Sequence, residues 1–229
     1  ENKTWFAPAD VAIVGSGIVG LSAALEIKKR RKNSRIIVLE RGFLPAGAST
    51  KNAGFACFGS MTELLSDLKT HSQNEVYHLL EQRWNGLLRL RKNLGDKEID
   101  YRNYGGYELF DNEEEFEECI NNITALNSDL YEITGKEKVF SSTDNKIKTF
   151  GFKKIKHLIY NHQEGQIDTG KMMNALLNKA RKCGIEIING VEINGLKDDA
   201  GGVKLSIANQ IELKSKKVIV ATNGFAREL

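Results

Sequence analysis

The sequence has few cysteines and almost no proline. The three cysteines among 229 residues, Cys57, Cys119 and Cys183, are odd in number and widely spaced. They therefore indicate neither a disulfide framework nor a paired metal or redox motif. Two prolines against 21 glycines exclude a proline-rich linker and indicate many tight turns. Because unpaired thiols are typical of reducing compartments, we expect a cytoplasmic protein.

Long apolar runs and a large excess of one charge are also missing. No stretch approaches the roughly 20 apolar residues of a membrane-spanning helix, so no membrane span is expected. Thirty-three Lys and Arg against thirty Asp and Glu give a net charge of +3, so a nucleic-acid partner is not expected. The four histidines show no metal-ligand spacing, and we predict no metal site.

The first forty residues predict a βαβ unit. Residues 11–14 are β-branched and apolar, residues 18–31 place apolar side chains at helical spacing, and residues 36–39 form a second apolar run that ends at Glu40. Such a unit joins parallel strands through a right-handed crossover. Because helical and strand patterns keep alternating, the predicted fold class is α/β. Further helices are predicted at 63–94 (as one or two helices), 113–133 and 170–182, and further strands at 99–110, 185–188, 203–208 and 218–221.

A glycine-rich motif lies between the first predicted strand and helix: Gly15-Ser16-Gly17-Ile18-Val19-Gly20. Gly15 would permit the tight turn, Gly17 would let the backbone approach a diphosphate, and Gly20 would let the helix pack closely on the strand. The helix N-terminus favours an anion. Glu40, at the end of the second strand, can accept hydrogen bonds from ribose hydroxyls and repels a 2′-phosphate. The motif predicts a dinucleotide, FAD or NAD rather than NADP.

A second loop of small residues follows the second strand: Ala46-Gly47-Ala48-Ser49-Thr50-Lys51-Asn52-Ala53-Gly54-Phe55. It should lie at the carboxyl edge of the sheet, where ligands of open α/β sheets bind. Small side chains allow a flat ring to approach, and Ser49, Thr50 and Asn52 can form hydrogen bonds. The composition alone is also typical of an ordinary flexible loop.

Together these motifs resemble the D-amino acid oxidase superfamily of FAD-dependent oxidoreductases, which includes glycine oxidase and sarcosine oxidase. The resemblance rests on residues 15–20, on Glu40-Arg41-Gly42 and on residues 47–54. Two later segments are similar to the family as well: Glu164-Gly165-Gln166-Ile167-Asp168 before a helix, and Lys217-Val218-Ile219-Val220-Ala221-Thr222-Asn223-Gly224. Residues 60–160 carry little of it.

The resemblance implies a Rossmann-like FAD-binding domain with an inserted, partial α+β substrate domain. We expect residues 1–98 to form the first segment of the FAD-binding domain, 99–162 the partial substrate domain and 163–229 the second FAD-binding segment. Members of the family continue well past the turn at 221–224. We therefore expect a fragment without the C-terminal remainder of the fold, which binds FAD poorly or not at all.

The resemblance also implies FAD as the cofactor and assigns residues to it. Glu40 would hold the ribose and Arg41 would lie near the adenosine, the 48–54 loop would line the diphosphate and flavin, and backbone groups at Ile193 would grip adenine. Lys51 stands where many relatives carry arginine. The implied cofactor-binding residues are Gly15, Gly17, Ile18, Val19, Gly20, Glu40, Arg41, Ala48, Ser49, Thr50, Lys51, Asn52, Ala53, Gly54, Ile193, Ala221, Thr222 and Asn223.

The implied activity is oxidation of a C–N bond of an amine or amino acid to an imine. The partner would be that small substrate, while the electron acceptor stays open and no side chain is assigned a catalytic role. The basic run from Lys28 to Lys32 suggests an alternative, a nucleotide-binding module of a tRNA-modifying or other fusion protein without redox turnover. An NAD dehydrogenase would leave the 46–55 loop unexplained.

Overall fold

The computed structural model describes residues 7–207 and 211–229. They form two compact units, one from residues up to 53 together with 169–229, the other from residues 54–168. We refer to them as unit 1 and unit 2. Residues 54–98 and 163–168, which were expected in the two FAD-binding segments, belong to unit 2.

Helices and strands alternate along the chain, as the sequence predicts. In chain order they are β1 (Ala9–Val14), α1 (Ile18–Arg30), β2 (Ile36–Glu40), β3 (Phe55–Ala56), α2 (Met61–Thr70), α3 (Gln73–Leu94), β4 (Gly106–Phe110), α4 (Glu113–Thr134), β5 (Phe140–Ser142), α5 (Ile147–Phe150), β6 (His157–Asn161), β7 (Gly165–Gln166), α6 (Thr169–Lys182), β8 (Glu186–Asn189), β9 (Ile193–Asp199), β10 (Gly202–Ile207) and β11 (Ile211–Val220). Short 3-10 helices span Asp144–Lys146 and Asn223–Glu228.

Unit 1 contains a six-stranded sheet in the order β8-β2-β1-β11-β10-β9. The first four strands are parallel, and β10 and β9 continue the sheet antiparallel to β11. The parallel part confirms the predicted βαβ unit. Its strands end on the same side, so the residues that follow β1, β2, β8 and β11 meet at one edge of the sheet.

The sheet of unit 1 folds back on itself. Strands β8 and β9 stand at opposite ends of the sheet order, yet only residues 190–192 separate them in sequence. Buried side chains of the antiparallel strands accordingly pack on the parallel strands in one cluster, which includes Ala12, Val14, Ile37, Leu39, Ile193, Leu205 and Leu213. Helices α1 and α6 pack against each other, and α1 contacts β1 and β2. The parallel strands thus lie between a helical layer and an antiparallel β layer.

Unit 2 consists of a three-stranded antiparallel sheet, β4-β6-β5, a two-stranded sheet, β3-β7, and helices α2 to α5. Side chains from α3 and α4 pack on one face of the larger sheet. This core contains Val76, Leu80 and Trp84 from α3, Leu126 and Leu130 from α4, and Phe110 and Ile159 from the sheet. Unit 2 is therefore an α+β arrangement, as expected for the inserted domain.

The helical stretch predicted at 63–94 forms two helices, because Ser72 acts as the N-cap of a new helix, α3. The Ser72 side chain accepts from the backbone of Glu75, and the Glu75 carboxylate accepts in return from the Ser72 N–H, 3.1 Å away, which completes a capping box. The helix ends at Gly95, as predicted, where φ is +91°. At the start of α4 the cap is simpler, since Asn112 accepts from Glu114.

The described residues also bear on membrane-spanning helices, metal-ligating groups and the strand predicted at 203–208. Within 7–207 and 211–229, no helix has both the length and the apolar character needed to cross a bilayer. The same residues contain no group of three or more metal-ligating side chains suitably placed for an ion. The predicted strand at 203–208 corresponds to β10, although its last residue lies outside the described residues.

Candidate cofactor-binding site

The turn between β1 and α1 requires glycine at two positions. Gly15 has φ of +104°, and a Cβ there would lie 2.6 Å from the Ala221 carbonyl oxygen. A Cβ on Gly20 would lie 2.0 Å from the Gly15 oxygen. Any larger residue would push α1 away from the strands. The two glycines therefore have the roles that the sequence predicts for turn and packing.

The N-terminus of α1 has no acidic cap and lies beside Gly17. The first turn of α1 contains no acidic residue, and Gly17, at the cap position, forms no side-chain cap. The Ile18 N–H instead donates to Ser49 Oγ at 3.0 Å, and a Cβ on Gly17 would lie 2.9 Å from that oxygen. The Val19 side chain is 69% exposed. A hydroxyl oxygen thus lies where a helix N-terminus favours an anion.

The Glu40 carboxylate connects two turns at the edge of the parallel strands. Its Oε2 accepts from the Ser16 N–H at 3.1 Å and the Ser16 hydroxyl at 2.6 Å. Its Oε1 accepts from the Gly42 N–H at 3.0 Å. Glu40 is only half-buried, and a carboxylate offers about four lone-pair positions. It can therefore accept a further hydrogen bond from a ligand.

The 46–54 loop is held mainly by its own side chains. Thr50 Oγ1 donates to the Gly47 carbonyl at 3.0 Å, and Asn52 Nδ2 donates to the carbonyls of Ala48 and Ser49 at 3.1 Å each. Lys51 and Ala53 are exposed. Ser49 is thus the loop residue that the structure brings to the glycine turn. Gly54, with φ of +76°, begins unit 2, where its carbonyl accepts from the Ile167 N–H.

Residues 221–223 lie next to the glycine turn. The Ala221 N–H donates to the Val14 carbonyl at 2.8 Å, which places the end of β11 beside the end of β1. Thr222 Oγ1 is buried without a hydrogen-bond partner. Asn223 has a left-handed backbone, with φ of +54°. An unpaired buried hydroxyl is costly, so its presence at this edge is consistent with a ligand-binding role.

Two other implied residues are found in different settings. The Arg41 guanidinium lies over the Phe225 ring, 4.4 Å from its centroid, so Arg41 also belongs to this edge. The Ile193 side chain is 6% exposed and packs in the core of unit 1. Any contact of Ile193 with a ligand would therefore use its backbone on β9.

Sequence reasoning missed the residues that hold Glu40 in place. Ser16 is one of the variable positions in the glycine motif, yet it is fully buried and supplies two hydrogen bonds to the carboxylate. The Val191 N–H donates to the Glu40 carbonyl at 2.9 Å, and the Gly190 N–H to the Gly42 carbonyl at 3.0 Å. A hydroxyl residue beside a glycine was the only sequence signal for Ser16, and there was none for residues 190 and 191.

Unit 2 contains a titratable cluster that the sequence did not single out. Burial raises the pKa of Glu164 to about 7, and the negative charges of Glu108 and Glu63 act in the same direction. The backbone N–H groups of Phe58 and Gly59 oppose that shift by donating to the carboxylate. A Cβ on Gly106 would lie 2.1 Å from Glu164 Oε2, so the carboxyl group packs directly on that backbone.

A neighbouring carboxylate in unit 2 caps a helix. Glu108 accepts from the N–H groups of Met61 and Thr62 at 3.0 and 3.3 Å, and also from the Thr62 hydroxyl. Glu63 pairs with Arg83 at 2.9 Å. The carboxylates around the start of α2 thus have structural partners, and none is assigned to chemistry.

The fold and the edge of unit 1 define a dinucleotide-binding protein of the Rossmann type. The model of the DAO family, described as FAD dependent oxidoreductase, matches residues 10–229. The chain therefore belongs to this family of FAD-dependent flavoproteins.

Individual relatives are distant and longer than this chain. The bifunctional protein ThiO/ThiG of Synechocystis sp. is 22% identical over 221 residues, which cover 96% of this chain and 31% of the relative. Glycine oxidase from Geobacillus kaustophilus superposes with a TM-score of 0.69 at 23% identity, covering 97% of this chain and 57% of that one. L-amino acid deaminase from Proteus myxofaciens superposes with a TM-score of 0.72 at 16% identity, covering 96% and 47%. The chain thus spans from 31% to 57% of the length of these relatives.

The residues of unit 1 fit the adenosine diphosphate half of FAD. Gly17 places backbone without a side chain at a helix N-terminus, where the Ser49 hydroxyl accepts from the Ile18 N–H, and Glu40 retains accepting capacity. Thr222 provides a buried hydroxyl without a partner. These features supply amide donors for phosphate, an acceptor for ribose and a further polar contact.

Proposed function

We propose that this chain is part of an FAD-dependent oxidoreductase that oxidises a C–N bond of an amino acid or amine to an imine. The family match across residues 10–229 is the strongest support for this proposal. The glycine turn and Glu40 in unit 1 agree with it. The proposal assigns cofactor binding to unit 1 and a part of the substrate-binding domain to unit 2.

In this proposal, different residues of the chain bind the diphosphate and the ribose of the cofactor. The backbone at Gly17 and the first turn of α1 bind the diphosphate, and Ser49 and Thr222 provide hydroxyl groups beside it. Glu40 accepts from the ribose, with its orientation fixed by Ser16 and Gly42. Asn223 and Arg41 complete this edge, while the other residues of the 48–54 loop approach the flavin.

FAD, when bound, would supply the two-electron oxidant that converts the substrate C–N bond to an imine. Water then converts the imine to a carbonyl compound and ammonia or an amine. The described residues include no side chain that we assign to proton transfer in this reaction.

The related structures, by their names, support amino acids or amines as the substrate class. They include a glycine oxidase, L-amino acid deaminases and an L-proline dehydrogenase. These proteins share amino acid substrates with an oxidisable C–N bond. We extend that class, and no individual amino acid, to this protein.

The reaction is tested by loading the full-length protein with FAD and mixing it anaerobically with a panel of amino acids and amines. Loss of flavin absorbance with at least one of them is the expected result, and a matched series of hydroxy acids serves as the control. If FAD is bound and no amine or amino acid bleaches it, the proposed reaction is wrong while the cofactor assignment stands.

A further inference from the structure

Asn189 ends β8 directly beside Glu40. In the parallel pairing of β2 and β8, Leu39 lies opposite Ile188 and Glu40 lies opposite Asn189. Neighbouring strands are about 4.8 Å apart, and paired residues of this kind direct their side chains to the same face of the sheet. The two polar side chains therefore leave the sheet at adjacent positions, at the edge where the cofactor is expected.

The Asn189 side chain contains an unsatisfied hydrogen-bond acceptor. Its Oδ1 is buried and has no hydrogen-bond partner. Leaving a buried acceptor unpaired destabilises a protein, so natural structures rarely keep one without a reason. This orphaned oxygen therefore needs a cause outside the protein's own hydrogen bonds.

The nearby protein groups are already used or have the wrong chemistry. The Glu40 carboxylate only accepts hydrogen bonds, and it receives them from Ser16 and Gly42. The backbone N–H groups that follow Asn189 are also committed, Gly190 to the Gly42 carbonyl and Val191 to the Glu40 carbonyl. None of these groups donates to Asn189 Oδ1, and a bound ligand would supply the missing donor.

We infer that Asn189 is a further binding residue for the adenosine half of the cofactor, where its Oδ1 accepts a hydrogen bond beside Glu40. This inference rests on the proposed function. Adenosine offers two kinds of donor, the ribose hydroxyls and the 6-amino group, and a carboxamide oxygen accepts from either. The pair of Glu40 and Asn189 then recognises an adenine nucleoside rather than the flavin.

The probe for this inference is ADP, titrated into the 229-residue chain by calorimetry. Asn189→Ala should weaken ADP binding about fivefold or more, since one hydrogen bond contributes roughly that factor. Asn174→Ala, which changes an exposed asparagine on α6 of the same unit, should leave ADP affinity unchanged.

A thermal melt without ligand distinguishes binding from folding. Because Asn189→Ala removes an unpaired acceptor rather than a hydrogen bond, its apo Tm should equal or exceed that of the parent chain. A merely structural role would lower the apo Tm instead, and that result would overturn the inference.

Two ADP analogues identify the donor. IDP lacks the 6-amino group, and 2′,3′-dideoxy-ADP lacks both ribose hydroxyls. The penalty of Asn189→Ala should vanish with the analogue that lacks the partner of Asn189, and either result supports the inference. It is overturned if the variant binds ADP as tightly as the parent, or if the penalty persists with both analogues. Failure of the parent chain itself to bind ADP would instead overturn the cofactor proposal.

Discussion

At the edge of unit 1, the roles of some residues could be predicted from their sequence context and the roles of others could not. Gly15 and Gly20 could be predicted because a Cβ at either position is excluded by nearby backbone, and that constraint leaves a glycine in the sequence. The role of Ser16 could not be predicted, because its contact with Glu40 spans 24 residues of sequence. Asn189 reaches the same edge only through strand pairing, which no local pattern reveals.

Glu164 gives unit 2 a pH-dependent stability. Its pKa is about 7 in the folded chain, against an ordinary 4.5, so the folded state favours the protonated form. The contribution of Glu164 to the free energy of unfolding is therefore fully present below pH 4.5 and is lost as the pH rises through 7. Glu164→Gln stays neutral, so its stability relative to the parent should increase between pH 4.5 and pH 8. The full pKa shift corresponds to about 3 kcal/mol, and because Glu164 is only half-buried we expect about 2 kcal/mol.

Urea denaturation at several pH values measures this difference, with a signal from unit 2 such as Trp84 fluorescence. Glu117→Gln, an exposed carboxylate on α4, is the control and should keep the parent's pH dependence. Equal pH dependence in the parent and Glu164→Gln would show that burial does not shift this carboxyl group.

Among the elements, those with a continuous apolar run or a regular helical period were predicted well. Strands β1 and β2 and helices α1, α4 and α6 are close to their predicted ranges. Strand β9 and the first half of β11 were missed. In β11 the buried Leu213 and Ser215 alternate with exposed Lys214 and Lys216, so only the final apolar residues indicated a strand.

The boundary between α2 and α3 depends on one hydroxyl group. Ser72→Ala removes the side chain that caps α3 and should destabilise unit 2 by about 1 kcal/mol. Chemical denaturation measures the loss. Ser66→Ala, at an exposed position inside α2, should be neutral or slightly stabilising because alanine is the better helix former. If both substitutions have the same effect, the break between the helices has another origin.

At the scale of the whole molecule, the sequence predicted the family and class but not where the units divide. Residues 54–98 were expected in the first segment of the cofactor-binding domain. In the structure α2 and α3 contribute to the core of unit 2. A helical period shows that a face is buried, but it does not show which sheet buries it.

The central claim is that unit 1 binds the adenosine diphosphate part of FAD at the N-terminus of α1. Binding of FAD to the full-length protein, monitored by quenching of flavin fluorescence, tests it most directly. Gly17→Val fills the approach to the helix and should weaken binding at least tenfold. Gly195→Ala, at a β9 glycine with no atom within 4 Å of an added Cβ, should have no effect.

Saturable FAD binding by the full-length parent and by Gly195→Ala, together with binding at least tenfold weaker in a folded Gly17→Val variant, is the predicted result. Equal binding of FAD by the parent and Gly17→Val would contradict the account.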